Sequence, residues 1–195
     1  MTTSVTTEYE GQDLQALAEL PNYYDWIVDV FRPWLKGHTM EIGAGIGTVA
    51  KRIVDDVDRL ELIEPSINLP GLMPRSLTDN PKVSIIIETL EQRLPQMEDE
   101  SCDTVVLVNI LEHVEDDGAA LKELNRVLKP DGHLLLFVPA LPFLFSDLDR
   151  EHGHFRRYRL APLTGLVQRN GFNVRYRRYF DLAGVLPWWL INTMG

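Results

Sequence analysis

The sequence predicts an α/β fold in which a mostly parallel, doubly wound sheet carries helices on both faces. Short apolar runs rich in β-branched residues alternate along the chain with segments of helical periodicity, as βαβ units require. A glycine-rich turn, Gly43 to Gly47, joins the first strand to a helix, and an acidic residue ends the second strand about twenty residues later. Ligands of open parallel sheets bind at the carboxyl ends of the strands, so these features indicate a ligand site there.

The predicted elements follow from local patterns, in which short apolar runs indicate strands and three- to four-residue spacing indicates helices. The second crossover, 67–80, is expected to hold only a turn or two of helix near Pro74, because proline and glycine interrupt it. The predicted strands are 39–42, 60–64, 83–88, 104–108, 133–139 and 172–180. The predicted helices are 14–20, 22–35, 47–57, 115–128 and 161–170.

Aromatic and aliphatic residues recur at helical spacing along 22–35. Trp26, Ile27 and Phe31 are predicted to pack in the core, which is the usual place for such a stripe. Tyr23 lies at the start of this helix, where it is placed to reach the ligand pocket.

Length and composition predict one domain over 13–195, after a polar, flexible N-terminus over 1–12. The net charge of −10 argues against a broad nucleic-acid-binding surface, which needs a basic face. Cys102 is the only cysteine, so no internal disulfide can form. The first ten residues contain no apolar run of the kind that forms a signal peptide or a membrane span. We therefore predict a cytoplasmic protein without a transmembrane segment.

The glycine-rich turn favours a cofactor other than a dinucleotide. Glycine tolerates positive φ and lets a ligand lie against the backbone, beside the amides of a helix N-terminus. The dinucleotide fingerprint would place its third glycine at Thr48, whereas here it lies at Gly47. Glu41 precedes the first glycine by two residues and suits an ammonium or a sulfonium better than a pyrophosphate. Taken alone, the stretch is also compatible with a tight turn that binds nothing.

Glu64 ends the second predicted strand, where a carboxylate can accept hydrogen bonds from both ribose hydroxyls. Several nucleoside cofactors are held in this way, so Glu64 supports an adenosine ligand without choosing among them. The alternative is a solvated acid at a strand end.

Two further stretches carry candidate catalytic and substrate-binding residues. Asn109 to Val114 follows the fourth strand, and its His113 is a candidate base or else a structural histidine. The loop 141–160 follows the fifth strand, and Gly153 permits a sharp turn within it. Its charged and aromatic residues form either a substrate-binding loop or a solvated one. The predicted substrate-binding residues are Asp149, His152, Arg156, Arg157 and Tyr158, and His154 is the second candidate base.

Four segments resemble, in order and in spacing, the class I S-adenosylmethionine-dependent methyltransferases of the type 11/12 branch. They are M-E-I-G-A-G-I-G-T, L-I-E-P-S, V-N-I-L-E-H-V and L-K-E-L-N-R-V-L-K-P-D-G-H-L-L-L-F-V-P. Similarity extends to P-N-Y-Y-D-W-I upstream and to D-L-D-R-E-H-G-H-F-R-R-Y and Y-F-D-L-A-G-V-L-P-W-W-L downstream. The resemblance implies a Rossmann-like sheet of strand order 3-2-1-4-5 followed by a C-terminal strand. Residues 181–195 leave little room for the usual antiparallel seventh strand, which is expected to be missing.

By the same resemblance, the carboxyl edge of the sheet binds S-adenosylmethionine. Glu64 would hold the ribose, Thr89 and Leu90 the adenine, and Asn109 the face beside the sulfonium. Thr89 stands where relatives commonly carry an acid, and Glu88 is the expected substitute. The predicted cofactor-binding residues are Tyr23, Glu41, Gly43, Ala44, Gly45, Gly47, Glu64, Pro65, Ser66, Glu88, Thr89, Leu90, Asn109 and Ile110.

The resemblance further implies methyl transfer to a small-molecule acceptor, with S-adenosylhomocysteine as product. The arginines of the loop favour an anionic acceptor (a carboxylate, phosphate or glycan-linked compound) and O-methylation. A hydroxyl acceptor needs a base, supplied by His113 or His154, whereas an ionised carboxylate needs none. No metal site and no nucleic-acid partner are predicted, and the apolar segment 181–195 offers a surface for a homodimer.

Two other functions are compatible with the same residues. One is a nicotinamide-dependent oxidoreductase on the same fold class, which the glycine spacing disfavours. The other is a non-catalytic module that binds S-adenosylmethionine without transferring its methyl group.

Overall fold

The computed structural model describes Glu8 and residues 21–180, and the structural statements below concern these residues. They form two compact units. The first unit comprises 21–108 and 126–137, and the second comprises 109–125 and 138–180. The prediction of a single domain over 13–195 stays a prediction, and the helix predicted over 14–20 lies outside the described residues.

The first unit contains a five-stranded parallel sheet of order β3-β2-β1-β4-β5, which confirms the predicted fold class and strand order. The second half of β4 is an apolar run, as expected of a strand covered on both faces, whereas the central strand β1 also buries the polar Thr39 and Glu41. The strands are β1 (His38–Ile42), β2 (Arg59–Ile63), β3 (Val83–Ile86), β4 (Cys102–Val108) and β5 (Leu128–Phe137).

The register of the sheet brings the strand ends level. Ile42 at the end of β1 pairs with Ile63 of β2 on one side and with Leu107 of β4 on the other. Ile63 in turn pairs with Ile86 at the end of β3. The residues that follow these strands therefore emerge along one edge of the sheet.

β5 begins five residues before the predicted strand because the turn Lys129-Pro130-Asp131-Gly132 forms a bulge within it. Leu128 pairs with Cys102, and the pairing resumes only at His133 with Thr104. The proline and glycine thus interrupt the ladder without ending the strand.

The helices are short. They are α1 (Pro21–Phe31), α2 (Ala50–Ile53), α3 (Arg75–Thr78), α4 (Leu90–Arg93), α5 (Asp117–Val127), α6 (Asp147–Glu151) and α7 (Leu160–Arg169). The second crossover holds only a 3₁₀ turn (Pro70–Leu72) and α3, as predicted from its prolines and glycine. α2 is shorter than the predicted helix 47–57, because 45–49 forms turns and Val54–Asp56 is a 3₁₀ turn. No helix among the described residues combines the length and apolar character needed to cross a membrane.

The predicted core positions on α1 are only partly right. Ile27 and Phe31 are buried, but Trp26 is 45% exposed, so its assignment to the core was wrong. Tyr24 is buried on this helix instead. An indole at the edge of a helical stripe can lie over the surface, since helical spacing fixes a stripe only to within one position.

The predicted strand 172–180 is not formed. α7 ends at Arg169, and Gly171 takes a φ of +95° directly after it, as a glycine following a helix C-terminus commonly does. Beyond it the chain is irregular through Phe180. A strand needs a neighbour for its ladder, and the arginine-rich sequence leaves most of these side chains exposed. The seventh strand was expected to be missing from 181–195, and this segment lies outside the described residues.

Candidate functional site

The first unit folds the glycine-rich turn back onto the end of β2. Gly43, Gly45 and Gly47 have φ values of 73°, 55° and 79°, which side-chain-bearing residues adopt only with strain. The amides of Gly43 and Ala44 donate to the carbonyl of Ile63, at 2.8 and 3.2 Å. The backbone of the turn is therefore fixed at the carboxyl edge of the sheet, where a ligand can lie against it.

Gly47 has a packing role as well. A Cβ atom at this position would lie 2.5 Å from Cδ1 of Leu77 and 3.5 Å from Cγ of Met73. The glycine lets the turn approach the segment around α3 that contains these residues. Its predicted contact with the methionine part of a cofactor stays a prediction.

Glu64 joins the turn after β1 to the residues after β2. One carboxylate oxygen accepts a hydrogen bond from the amide of Gly45 at 2.8 Å, and the other accepts a hydrogen bond from the amide of Ser66 at 2.9 Å. The residue is only 4% exposed, so the alternative of a solvated acid is wrong. Each carboxylate oxygen keeps a second lone pair, which leaves Glu64 able to accept hydroxyl groups of a ribose as well. Pro65, between these residues, is half-buried.

Glu41 is the second buried carboxyl group of this edge. Its side chain is almost fully buried, and among the described residues its Oε2 atom has no hydrogen-bond partner. Burial, with a contribution from the charge of Glu64, raises the pKa of Glu41 to about 8. A buried carboxyl group without a partner fits an ammonium or sulfonium ion, which would ionise it and satisfy the free oxygen.

The residues after β3 divide into a helix cap and a free acceptor. Thr89 caps α4: its Oγ1 accepts the amide of Gln92 at 3.3 Å, while Oε1 of Gln92 accepts the amide of Thr89 at 2.9 Å. Leu90 is buried behind this cap. Glu88 accepts a hydrogen bond from Gln96 with Oε1, and its Oε2 is buried with no partner in the described chain. Glu88 thus keeps one buried oxygen that could accept a further hydrogen bond, and the predicted adenine contacts of Glu88, Thr89 and Leu90 stay predictions.

Tyr23 lies at the same edge of the first unit. Its ring packs edge-on against Phe137, the last residue of β5, with centroids 6.1 Å apart, and against Tyr24 at 5.7 Å. The predicted contact of Tyr23 with the cofactor stays a prediction.

The second unit begins directly after β4. Asn109 has a φ of 54°, a left-handed conformation that asparagine tolerates better than most side chains. Ile110 accepts the amide of His113 with its carbonyl at 2.9 Å, which opens the 3₁₀ turn Leu111–His113. The predicted cofactor contacts of Asn109 and Ile110 stay predictions.

Asp149 organises the loop of the second unit. It is 1% exposed and accepts hydrogen bonds from His154 Nδ1 at 2.9 Å, from Arg157 Nε at 2.8 Å and from the amide of Ser146 at 2.9 Å. Burial alone would raise the pKa of Asp149, but the Arg157 guanidinium and the Ser146 and His154 hydrogen bonds hold it below its usual range. An ionised Asp149 thus fixes the ring of His154.

His154 meets two further ionisable side chains. The rings of His154 and His113 pack edge to face with centroids 4.6 Å apart, and the exposed His152 lies 6.2 Å from His154. Burial of part of its ring, followed by the charges of His154 and His152, lowers the pKa of His113 to about 4, although the residue as a whole is exposed. The two predicted catalytic histidines are therefore in contact.

Glu112 is the residue of this group that the sequence did not identify. It is fully buried, and neither of its carboxylate oxygens has a hydrogen-bond partner among the residues described here. Burial, with a smaller contribution from the charge of Asp149, raises the pKa of Glu112 to about 8, although its own backbone amide and the charge of Arg157 act in the opposite direction. A ligand atom from each of Glu112, His113 and His154 lies within 4.8 Å of the other two. The signal in the sequence was the dipeptide Glu112-His113 in the short segment after β4, of which only the histidine was chosen.

The remaining predicted substrate-binding residues pair within the second unit. Arg156 contacts Asp117 Oδ2 at 2.9 Å and donates to the carbonyl of Glu115 at 2.7 Å. The buried Tyr158 lies with its hydroxyl 3.0 Å from Asp117 and 3.2 Å from the carbonyl of Leu111. Burial and Asp117 raise the pKa of Tyr158 above its usual value. Binding of an acceptor by these residues stays a prediction.

Comparison with known proteins gives one matching family model and several related sequences. The family model described as a methyltransferase domain, of type 11, matches residues 40–136. The 37.1 kDa protein in transposon TN4556 of Streptomyces fradiae is 30% identical over 132 residues, covering 66% of this chain and 36% of that protein. The ubiquinone/menaquinone biosynthesis C-methyltransferase UbiE of Syntrophotalea carbinolica is 28% identical over 145 residues, covering 72% of this chain and 59% of its own.

Among solved structures, a Haloferax volcanii protein in complex with the Trm112 methyltransferase activator has the same fold. The TM-score is 0.73 at 17% identity, and the likeness covers 87% of this chain and 78% of that one. At this identity the likeness concerns the fold alone. The chain thus spans between about a third and three-fifths of the length of the curated relatives named above.

Proposed function

Since this chain belongs to the class I S-adenosylmethionine-dependent methyltransferases, in the type 11 branch, we propose that it transfers a methyl group from S-adenosylmethionine to an oxygen of a small, anionic acceptor. S-adenosylmethionine is the cofactor of this family, and S-adenosylhomocysteine is its product. Family membership excludes the nicotinamide-dependent oxidoreductase. A module that binds the cofactor without turnover is the alternative that the experiment below tests.

The first unit supplies what a sulfonium cofactor needs. The methyl carbon of a sulfonium is already an activated electrophile, so the protein mainly aligns the cofactor and excludes water. Glu41 offers a buried carboxyl group with a free oxygen to the positively charged methionine part, and Glu64 offers acceptors to the ribose. Glu88 offers its free oxygen to the adenine amino group.

Transfer to an oxygen is carried by one observation, the 2.9 Å hydrogen bond between Asp149 and Nδ1 of His154. In a neutral ring, a carboxylate that accepts Nδ1–H leaves Nε2 as the nitrogen with the free lone pair. Nε2 is then the atom that would take the proton of an acceptor hydroxyl as its oxygen attacks the methyl carbon. His113, in ring contact with His154, is the second candidate.

The anionic character of the acceptor rests on Arg156 more than on Arg157. The side chain of Arg157 is 8% exposed and is engaged by the buried Asp149. The side chain of Arg156 is 30% exposed and pairs with Asp117, whose side chain is 16% exposed. If a carboxylate or phosphate displaced Asp117 from Arg156, Asp117 would keep its contact with the hydroxyl of Tyr158, whereas displacing Asp149 from Arg157 would take the guanidinium from a carboxylate that is only 1% exposed.

A methyl-transfer screen tests the proposal. Hydroxyl compounds are compared in matched pairs, with and without a carboxylate or phosphate group, and S-adenosylhomocysteine release is measured. We expect turnover with an anionic member and an O-methyl product by NMR. A carbon- or nitrogen-methylated product would overturn the proposed oxygen transfer, and cofactor binding without turnover on any compound would favour the non-catalytic module.

A further inference from the structure

We propose that Glu112, His113 and His154 bind a divalent transition-metal ion in the second unit. A ligand atom from each of the three side chains lies within 4.8 Å of the other two. Carboxylate oxygens and imidazole nitrogens bind zinc and similar ions at about 2.0–2.2 Å. Small side-chain rotations would therefore place one ion among all three.

The burial of Glu112 points independently to a bound ligand. A carboxyl group that is fully buried with both oxygens unpaired is costly, and nearly all such groups in folded proteins have a partner. The described residues provide none for Glu112. A cation between the carboxyl group and the two imidazoles would satisfy these oxygens and favour their ionised form.

The residues that hold His154 have the arrangement found around metal-binding histidines. Such a histidine usually donates its other ring N–H to a carboxylate, which sets the tautomer and the ring orientation. His154 does this with Asp149 at 2.9 Å, and Asp149 is held in turn by Arg157 at 2.8 Å. Nε2 of His154 is thereby the nitrogen left for an ion.

Backbone hydrogen bonds fix the two segments that carry the ligands. The amide of Phe155 donates to the carbonyl of Glu112 at 2.8 Å, and the amide of His154 donates to the carbonyl of Asp149 at 2.8 Å. Gly153, with a φ of 75°, forms the turn between α6 and His154, and a Cβ there would lie 3.9 Å from Nδ1 of His113. The ligands are thus held on a fixed framework before any ion binds.

Two histidines and one carboxylate leave at least one coordination position open, as in catalytic rather than structural zinc sites. The exposure of His113 leaves room for an oxygen ligand at that position. With the ion bound, Nε2 of His154 would coordinate it and could not take a proton; the ion would instead lower the pKa of an acceptor hydroxyl in the open position, and the proton would pass to solvent. This role of the ion, in place of His154 as base, rests on the proposed oxygen transfer, whereas binding of the ion itself does not.

The test measures metal binding without any acceptor. The full chain is stripped with a chelator and titrated with Zn²⁺ by calorimetry and with Co²⁺ by absorption spectroscopy. We expect one ion per chain and visible Co²⁺ bands of a low-symmetry site. Glu112→Gln and His113→Ala should each weaken binding at least about tenfold, while His152→Ala, a neighbouring exposed histidine outside the three, should not.

His113→Ala keeps the test decisive if Glu112→Gln does not fold, because His113 is exposed. Absence of stoichiometric binding, or equal losses in His152→Ala and His113→Ala, would overturn the proposal and leave a metal-free histidine pair. Failure of the two proposals can be told apart. Metal binding without turnover would contradict only the methyl-transfer reaction, and turnover by a chain that binds no metal would contradict only the metal site.

Discussion

Glu41 and Glu64 place two buried carboxyl groups beside each other at the carboxyl ends of adjacent strands, and the charge of Glu64 contributes to the raised pKa of Glu41. The two acids have different partners. Glu64 accepts two backbone amides, whereas Glu41 keeps an oxygen without a partner in the described chain. A cationic ligand would bind to the second acid while the first holds the glycine turn in place.

Binding of S-adenosylhomocysteine should release a proton from Glu41. The pKa of about 8 in the free protein means that Glu41 is protonated at pH 5.5–7, and the ligand ammonium would lower that pKa on binding. Affinity should therefore rise with pH across this range, by up to about tenfold per pH unit. Calorimetry in buffers of different ionisation enthalpy measures the proton directly.

Glu41→Gln is the matched control, because it removes the titration and keeps the shape of the side chain. The affinity of this variant should be flat between pH 5.5 and 7. An equal pH dependence in wild type and variant would show that another group carries the proton.

Glu64→Ala should weaken S-adenosylmethionine and S-adenosylhomocysteine equally, by roughly 1.5–3 kcal/mol, as expected for hydrogen bonds to a charged group. The loss has two sources, the ribose contacts and the amides of Gly45 and Ser66 that Glu64 fixes. Urea unfolding of the ligand-free variant separates them, because only the loss of the hydrogen bonds to the amides lowers the stability of the free protein. Wild-type affinity in Glu64→Ala would remove the ribose assignment.

Gly47→Ala should lower stability through packing. The new methyl group would lie 2.5 Å from Leu77 on a backbone of φ 79°, so overpacking and backbone strain add. We expect a loss of about 1–3 kcal/mol in the free energy of unfolding by urea. In a Leu77→Ala background the same substitution should cost less, although the backbone strain would remain. Equal costs in both backgrounds would show that the contact with Leu77 is not the cause.

The sheet and part of the site could be predicted because they depend on local sequence. Glycines at the turn and an acid at the end of β2 are close in sequence to the strands that position them, so the place of Glu64 at the edge of the sheet could be predicted, whereas its contact with the ribose stays a prediction. The burial of Glu112 without a hydrogen-bond partner depends on residues that are distant in the sequence. The ion pair of Arg156 likewise depends on Asp117, which is far away in the sequence. Residues 172–180 alternate like a strand, but a strand also needs a neighbour, which a local pattern does not supply.

Arg156 and Arg157 should respond differently to removal of their charge. Arg156→Ala loses the ion pair with Asp117. If Arg156 holds an anionic acceptor, the KM for the acceptor should rise while the affinity for S-adenosylhomocysteine stays the same. Arg157→Ala leaves the buried Asp149 without its cation and should cost about 3 kcal/mol of stability. Because Asp149 then holds His154 less firmly, the kcat of Arg157→Ala should fall as well.

Arg175→Ala is the matched control, since Arg175 is an exposed arginine of the same unit. It should leave KM, kcat and stability unchanged, because exposed charges contribute about 0–1 kcal/mol. Steady-state kinetics with the acceptor found in the screen, together with urea unfolding, distinguishes the three variants. A wild-type acceptor KM in Arg156→Ala would end the anion-binding role of this residue. A fully stable Arg157→Ala with normal kcat would show that Asp149 does not depend on Arg157 to position His154.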